Sequence, residues 1–177
     1  MKKKITMVVS LLLVMALSIG GTLAYLTDKT DAVTNTFTIG KVDITLAETT
    51  TNYQMIPGQP IAKDPTVTVL KDSEPCWLFV EVAANNVAEY LEYSVDTTVW
   101  TELQDGVYYK AITEKVTADA GQSYPVLTGN QVTVKNTVTN AMMDAANQNP
   151  PTLTFTAYAI QSAGFATPEL AWAEVSK

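Results

Sequence analysis

From Phe37 onward, apolar and polar residues alternate along this chain far more often than they recur at helical spacing. Phe37 and Ile39, then Val42, Ile44 and Leu46, put apolar side chains on one face of two extended stretches, and a bend at Gly40-Lys41 resets the register. The same pattern predicts further strands over residues 66–70, 77–83, 93–100, 107–112, 131–138 and 153–160. Threonine is frequent between the apolar positions, as suits the wet face of a half-buried strand.

Turn-forming segments separate these runs: Ile56-Pro57-Gly58-Gln59-Pro60, Gln104-Asp105-Gly106, Asp119-Ala120-Gly121-Gln122, Thr128-Gly129-Asn130 and Asn147-Gln148-Asn149-Pro150-Pro151. Asp105-Gly106 before Val107-Tyr108-Tyr109 is the best local hairpin signal. Two helical pieces interrupt the alternation. Residues 139–146 are rich in Ala and Met. Thr167-Pro168-Glu169 supplies a cap, a first-turn proline and an acid for a helix through Trp172 to Val175. Short strands with turns at this spacing predict an all-β fold, a sandwich of two antiparallel sheets with one or two short helices.

The first residues follow a different rule. Lys2, Lys3 and Lys4 precede an apolar run from Ile5 to Ile19, then Gly20-Gly21-Thr22-Leu23-Ala24-Tyr25. This is the pattern of a secretory signal peptide, cleaved between Ala24 and Tyr25 with Thr22 as the second small residue. The run is about 15 residues, short of the roughly 20 that a spanning helix needs, which argues against the alternative of a retained anchor. The expected organisation is a signal peptide over 1–24, an extended segment over 25–36 and a β-sandwich over 37–177.

Cleavage would remove three of the 11 basic residues and leave 8 lysines against 18 acids, a net charge of 8 − 18 = −10. Such an arginine-free surface repels phosphate backbones and anionic headgroups, so no nucleic acid is expected as a partner, and no membrane beyond the signal peptide. Cys76 is the single cysteine, so no disulfide can form within the chain, and its flanks Pro75 and Trp77-Leu78-Phe79-Val80 predict a thiol turned into the core.

The sequence contains no histidine. Zinc-protease and imidazole-dependent triad chemistry therefore have no residues to work with, and no serine sits in an elbow motif that would support a Ser–Lys pair. Glu81, Glu89, Glu92, Asp96, Glu102 and Asp105 could in principle serve glycoside hydrolysis, but a solvated acidic face explains them. Asp28, Asp31 and Asp43 lack the spacing of a calcium loop. The aromatics Trp77, Tyr90, Tyr93, Trp100, Tyr108, Tyr109, Tyr158 and Trp172 are expected to pack within and across strands, one ring per face around Leu78 and at Tyr108-Tyr109, rather than form a carbohydrate platform. No catalytic residue, cofactor or metal site is expected.

The segments Gly20-Gly21-Thr22-Leu23-Ala24-Tyr25-Leu26-Thr27-Asp28 and Asn35-Thr36-Phe37-Thr38-Ile39-Gly40-Lys41-Val42-Asp43-Ile44 carry a resemblance to the TasA/camelysin family, exported proteins of Gram-positive bacteria processed by a SipW type of signal peptidase. Ile56-Pro57-Gly58, Asp105-Gly106-Val107-Tyr108-Tyr109 and the stretch from Ala157 to Phe165 leading to Ala171-Trp172 support it. The resemblance implies a jelly-roll-like sandwich and a secreted role at the cell surface or in a biofilm matrix. It implies partners too: copies of itself, other matrix proteins, and signal peptidase during export.

Family members similar to TasA build fibres by giving an N-terminal segment to the next subunit as a strand. Here that segment would run from Tyr25 to Thr36, anchored by Tyr25, Leu26 and Val33. It is polar, threonine-rich and free of glycine and proline, so it can extend and pair with an open sheet edge, and a disordered terminus is the other reading. The camelysin name also carries a protease activity, against which the absence of histidine argues. A secreted hydrolase and a monomeric surface adhesin are the alternatives.

Overall fold

The computed structural model describes residues 40–50 and 53–177, within the compact unit Ile39–Lys177. The expected signal peptide, its expected cleavage residues Thr22, Ala24 and Tyr25, the expected donor anchors Leu26 and Val33, the strand expected at Phe37 and Ile39, and the carboxylates Asp28 and Asp31 lie outside the described residues. The strands are β1 (Ile44–Ala47), β2 (Pro60–Ala62), β3 (Thr66–Val69), β4 (Cys76–Asn85), β5 (Leu91–Glu92), β6 (Thr101–Gln104), β7 (Val107–Ile112), β8 (Gln122–Pro125), β9 (Gln131–Val134) and β10 (Thr152–Gln161). Among the described residues three short α-helices accompany them, α1 (Val87–Tyr90), α2 (Asn140–Ala146) and α3 (Pro168–Val175).

Every paired strand is antiparallel, and the fold is the expected all-β sandwich. A sheet ordered β1-β3-β8 packs over one ordered β10-β4-β7-β6. Between them lie Val67 and Val69 from β3, Leu78 and Val80 from β4, and Trp100 and Val126 from connections, each at most 1% exposed. Burying each valine or leucine contributes about 1.5–3 kcal/mol, so this layer is the main source of stability.

Two sheets were expected and three are present among the described residues. The third, β2-β9-β5, is built from strands of two to four residues and covers a satellite cluster of Tyr90, Val134, Val138 and Ala146. The strand expected over 131–138 stops at Val134, where Lys135 N–H turns to the Tyr90 carbonyl (2.9 Å) and Val138 folds back on Lys135 (3.2 Å).

The strand expected over 93–100 is replaced by a turn. Asp96 takes both the N–H (3.0 Å) and the hydroxyl (2.6 Å) of Thr98, and its carbonyl accepts from Val99 and Trp100, so only Val95 keeps a bridge, to Leu127. An aspartate that bonds its own following backbone competes directly with a sheet ladder. The short helix α1 was not foreseen; it begins after Asn86 in the left-handed region at φ 56°.

Local signals were otherwise accurate. Pro57 and Gly58 occupy the centre of a turn closed by Gln59 N–H to the Ile56 carbonyl (3.0 Å), with Gly58 at φ 76° as a type II turn requires. Gly106 at φ 73° closes the β6–β7 hairpin. Thr139 and Thr167 cap α2 and α3 by accepting from Met142 and Leu170 N–H, and Pro168 stands in the first turn of α3.

Candidate functional site

Strand β10 borders the four-stranded sheet. It pairs with β4 over its whole length, Thr152 opposite Asn85 to Gln161 opposite Cys76, and no strand pairs with its other edge among the described residues. Its sequence alternates Thr152, Thr154, Thr156 and Tyr158 with Leu153, Phe155, Ala157 and Ala159, and the latter four pack against the main core. The strand is therefore held firmly on one side and one face while its second edge offers backbone groups for pairing.

β1 approaches this edge without joining it. At one end the Gln161 side chain donates to the Gly40 carbonyl (3.1 Å). At the other the two strands part, and Leu46 and Ala47 face Leu153, Thr154 and Phe155 across a groove of about 390 Å³. Val42 and Ile44 reach the core as expected, whereas Leu46 stays 37% exposed and gives the groove an apolar wall. The groove continues past Lys63 into a second compartment of about 510 Å³ between β10 and the third sheet, with Met55, Ile61, Leu91 and Val132 as its apolar lining.

Lys63 stands where the two compartments meet. It is 8% exposed, pairs with Glu48 Oε1 at 2.8 Å, and holds its ammonium 5.0 Å from the Tyr53 ring centre and 5.3 Å from that of Phe155. Tyr53 donates its hydroxyl to the same Glu48 oxygen (2.8 Å) and also bonds the Thr50 carbonyl. Burial, then the Glu48 hydrogen bond, push the Tyr53 hydroxyl far above its ordinary value. Next to this cluster, Asp64 accepts the Thr49 N–H (2.9 Å) and hydroxyl, which hold its carboxyl below the usual range. Nothing in the Ile61-Ala62-Lys63-Asp64-Pro65 sequence marks Lys63; only the approach of Glu48 and two rings from distant segments does.

Of the carboxylates weighed as catalysts, Glu81 takes the Tyr158 hydroxyl (3.0 Å), Asp96 caps its own turn, Glu89 and Glu92 are exposed, and Glu102 and Asp105 are exposed near Tyr108; Asp43, weighed as a calcium ligand, pairs with Lys41 (2.7 Å). Among the described residues no group of three or more acidic or cysteine side chains could hold a metal ion, and no helix is long and apolar enough to cross a membrane.

The aromatics pack. Trp77, Phe79, Tyr109 and Tyr158 share the outer face of the four-stranded sheet, where Trp172 of α3 meets Phe79 (5.3 Å) and Tyr158 (5.2 Å). Trp77 and Phe79 thus lie on the same face, as a two-residue period demands, and not on opposite ones as expected; Tyr108 and Tyr109 do split. Cys76 is 1% exposed and its thiol is pushed up to about 11 by burial, an inert core group.

Neither a curated protein nor a solved structure matches the chain. A family model does, described as camelysin metallo-endopeptidase, over residues 1–69. That span holds the expected signal peptide and extended segment, β1 to β3, and both Glu48 and Lys63. Over residues 1–69, less than half of its length, the chain is therefore similar to the camelysin family, the one that includes TasA.

Proposed function

We propose that this chain is an exported, non-enzymatic structural protein of the cell surface or biofilm matrix, freed at Ala24–Tyr25 and assembled by donation of residues 25–36 to the β10 edge of a neighbouring copy. The observation that carries this reading is the second edge of β10, ten residues long, unpaired among the described residues and flanked by an apolar groove. An extended segment added there gains main-chain hydrogen bonds from the edge, and the groove takes its alternate side chains. Head-to-tail addition of this kind gives filaments when the rotation does not close.

The family description favours a metallo-endopeptidase as the second reading. Against it stand the absence of histidine from the sequence and, among the described residues, the lack of any group of three or more acidic or cysteine side chains that could hold a metal ion. The two readings part in one experiment. The chain from Tyr25 to Lys177, concentrated and incubated, is imaged by electron microscopy while casein cleavage is followed with and without chelator. Filaments that lengthen with concentration and time, with no chelator-sensitive cleavage, support the structural reading. Monomeric particles that degrade casein until chelated overturn it.

A further inference from the structure

We infer that the Glu48–Lys63–Tyr53 cluster is a barrier across the β10 edge, and that its opening sets the rate at which a strand can enter the groove. The inference rests on the strand-addition reading and deepens it by naming what regulates the site. The two compartments of the groove share Leu153, Thr154 and Lys63 as walls, so they adjoin at Lys63. A strand paired with Thr152 to Phe155 needs about 13 Å of clear edge at roughly 3.3 Å per residue. That length runs from one compartment into the other, past Lys63.

The ammonium is fixed there from several directions. Glu48 holds it by an ion pair from the chain segment that follows β1, Tyr53 offers its ring and clamps the same carboxylate, and Phe155 supplies a second ring from β10 itself. These contacts tie the end of β1 to β10 across the mouth of the gap, and the Thr49–Asp64 hydrogen bonds hold the same segment down. A buried cation gives up all of these partners together when it moves, because none of them alone compensates its removal from water. The passage from one compartment to the other is therefore barred at Lys63 in the isolated subunit, and it clears as one event.

The test uses the chain from Tyr25 to Lys177 at low concentration with a fluorescent peptide of the sequence of residues 25–36, its association followed by anisotropy. Lys63→Met keeps the length of the side chain and removes the charge; Tyr53→Phe keeps the ring and removes the clamp on Glu48. Both are expected to speed association by about fivefold or more. Lys110→Met, which removes a cation stacked on Tyr124 (5.0 Å) away from the groove, is expected to leave the rate unchanged. Circular dichroism verifies that each variant folds. Binding at equal rates in all four proteins, or slower binding in the two cluster variants, overturns the barrier and leaves strand addition standing. No peptide binding to any of them overturns both.

Discussion

Lys63 and Glu48 form an ion pair at 2.8 Å with side chains only 10% and 16% exposed, although 15 residues separate them in sequence. Replacing Glu48 by Gln leaves the Lys63 ammonium buried without its anion. Losing one partner of a desolvated pair is more costly than losing a surface pair, so Glu48→Gln is expected to destabilise by about 2 kcal/mol. Urea denaturation followed by tryptophan fluorescence reads the change; a loss near zero would show that water replaces the carboxylate.

Trp100 is the largest fully buried side chain, and its indole N–H donates to the Pro125 carbonyl at 2.8 Å. Trp100→Phe removes both volume and donor, and is expected to cost about 2–3 kcal/mol with no change in subunit assembly. A denaturation midpoint that does not move would contradict the place given to this residue in the core.

Gly58→Ala tests the turn that leads into the third sheet. An added Cβ would stand 2.2 Å from Asn136 Oδ1, at a φ of 76° that alanine disfavours. The expected cost is about 1–2 kcal/mol, and Asn136→Ala in the same chain is expected to restore part of it by removing the clash. Thermal melting of both variants decides.

The pH dependence of stability follows from the groups present. With no histidine, no side chain titrates at its ordinary value between about pH 5 and 8, and stability is expected to be nearly flat there. Asp64 and Asp96 are held below the ordinary 3.8 by threonine hydroxyls first and N–H groups second. Their depressed values add stability above the ordinary value, lost as pH falls through the folded ones, so the acid limb lies below about pH 4.

On the alkaline side the sign is the opposite. Burial raises Cys76 from 9.0 to about 11, and burial first raises Tyr93, Tyr108 and Tyr124 above 10.0. The unfolded chain then releases these protons first, so stability falls from about pH 9 upward. Cys76→Ala is expected to delay the start of that fall by about a pH unit, measured by denaturant midpoints from pH 7 to 11. An identical alkaline limb in the variant would remove the thiol from the account.

The long strands were legible because alternation is a local property. The expected runs 77–83 and 153–160 became β4 and β10, the Ala- and Met-rich run marked α2, and the Thr167 cap marked α3. Pro60–Ala62, Leu91–Glu92, Thr101–Gln104 and Gln122–Pro125 were not legible, since strands this short exist only because a partner lies alongside. The run at 93–100 misled because Val95, Val99 and Trp100 are core residues carried by a turn instead of a strand. The groove was hidden for a related reason. The β10 sequence shows a half-buried strand, but whether one edge is left open depends on where β1 ends beside it. The Lys63–Glu48 pair depends on the same long-range approach.

The central claim is that residues 25–36 join one subunit to the next. Its most direct test compares the chain from Tyr25 with the chain from Phe37, side by side, by electron microscopy and circular dichroism. The account predicts that the shorter chain keeps its β-sheet spectrum and remains monomeric while the longer one forms filaments. Filaments of the same yield and shape from the chain lacking residues 25–36 would contradict it.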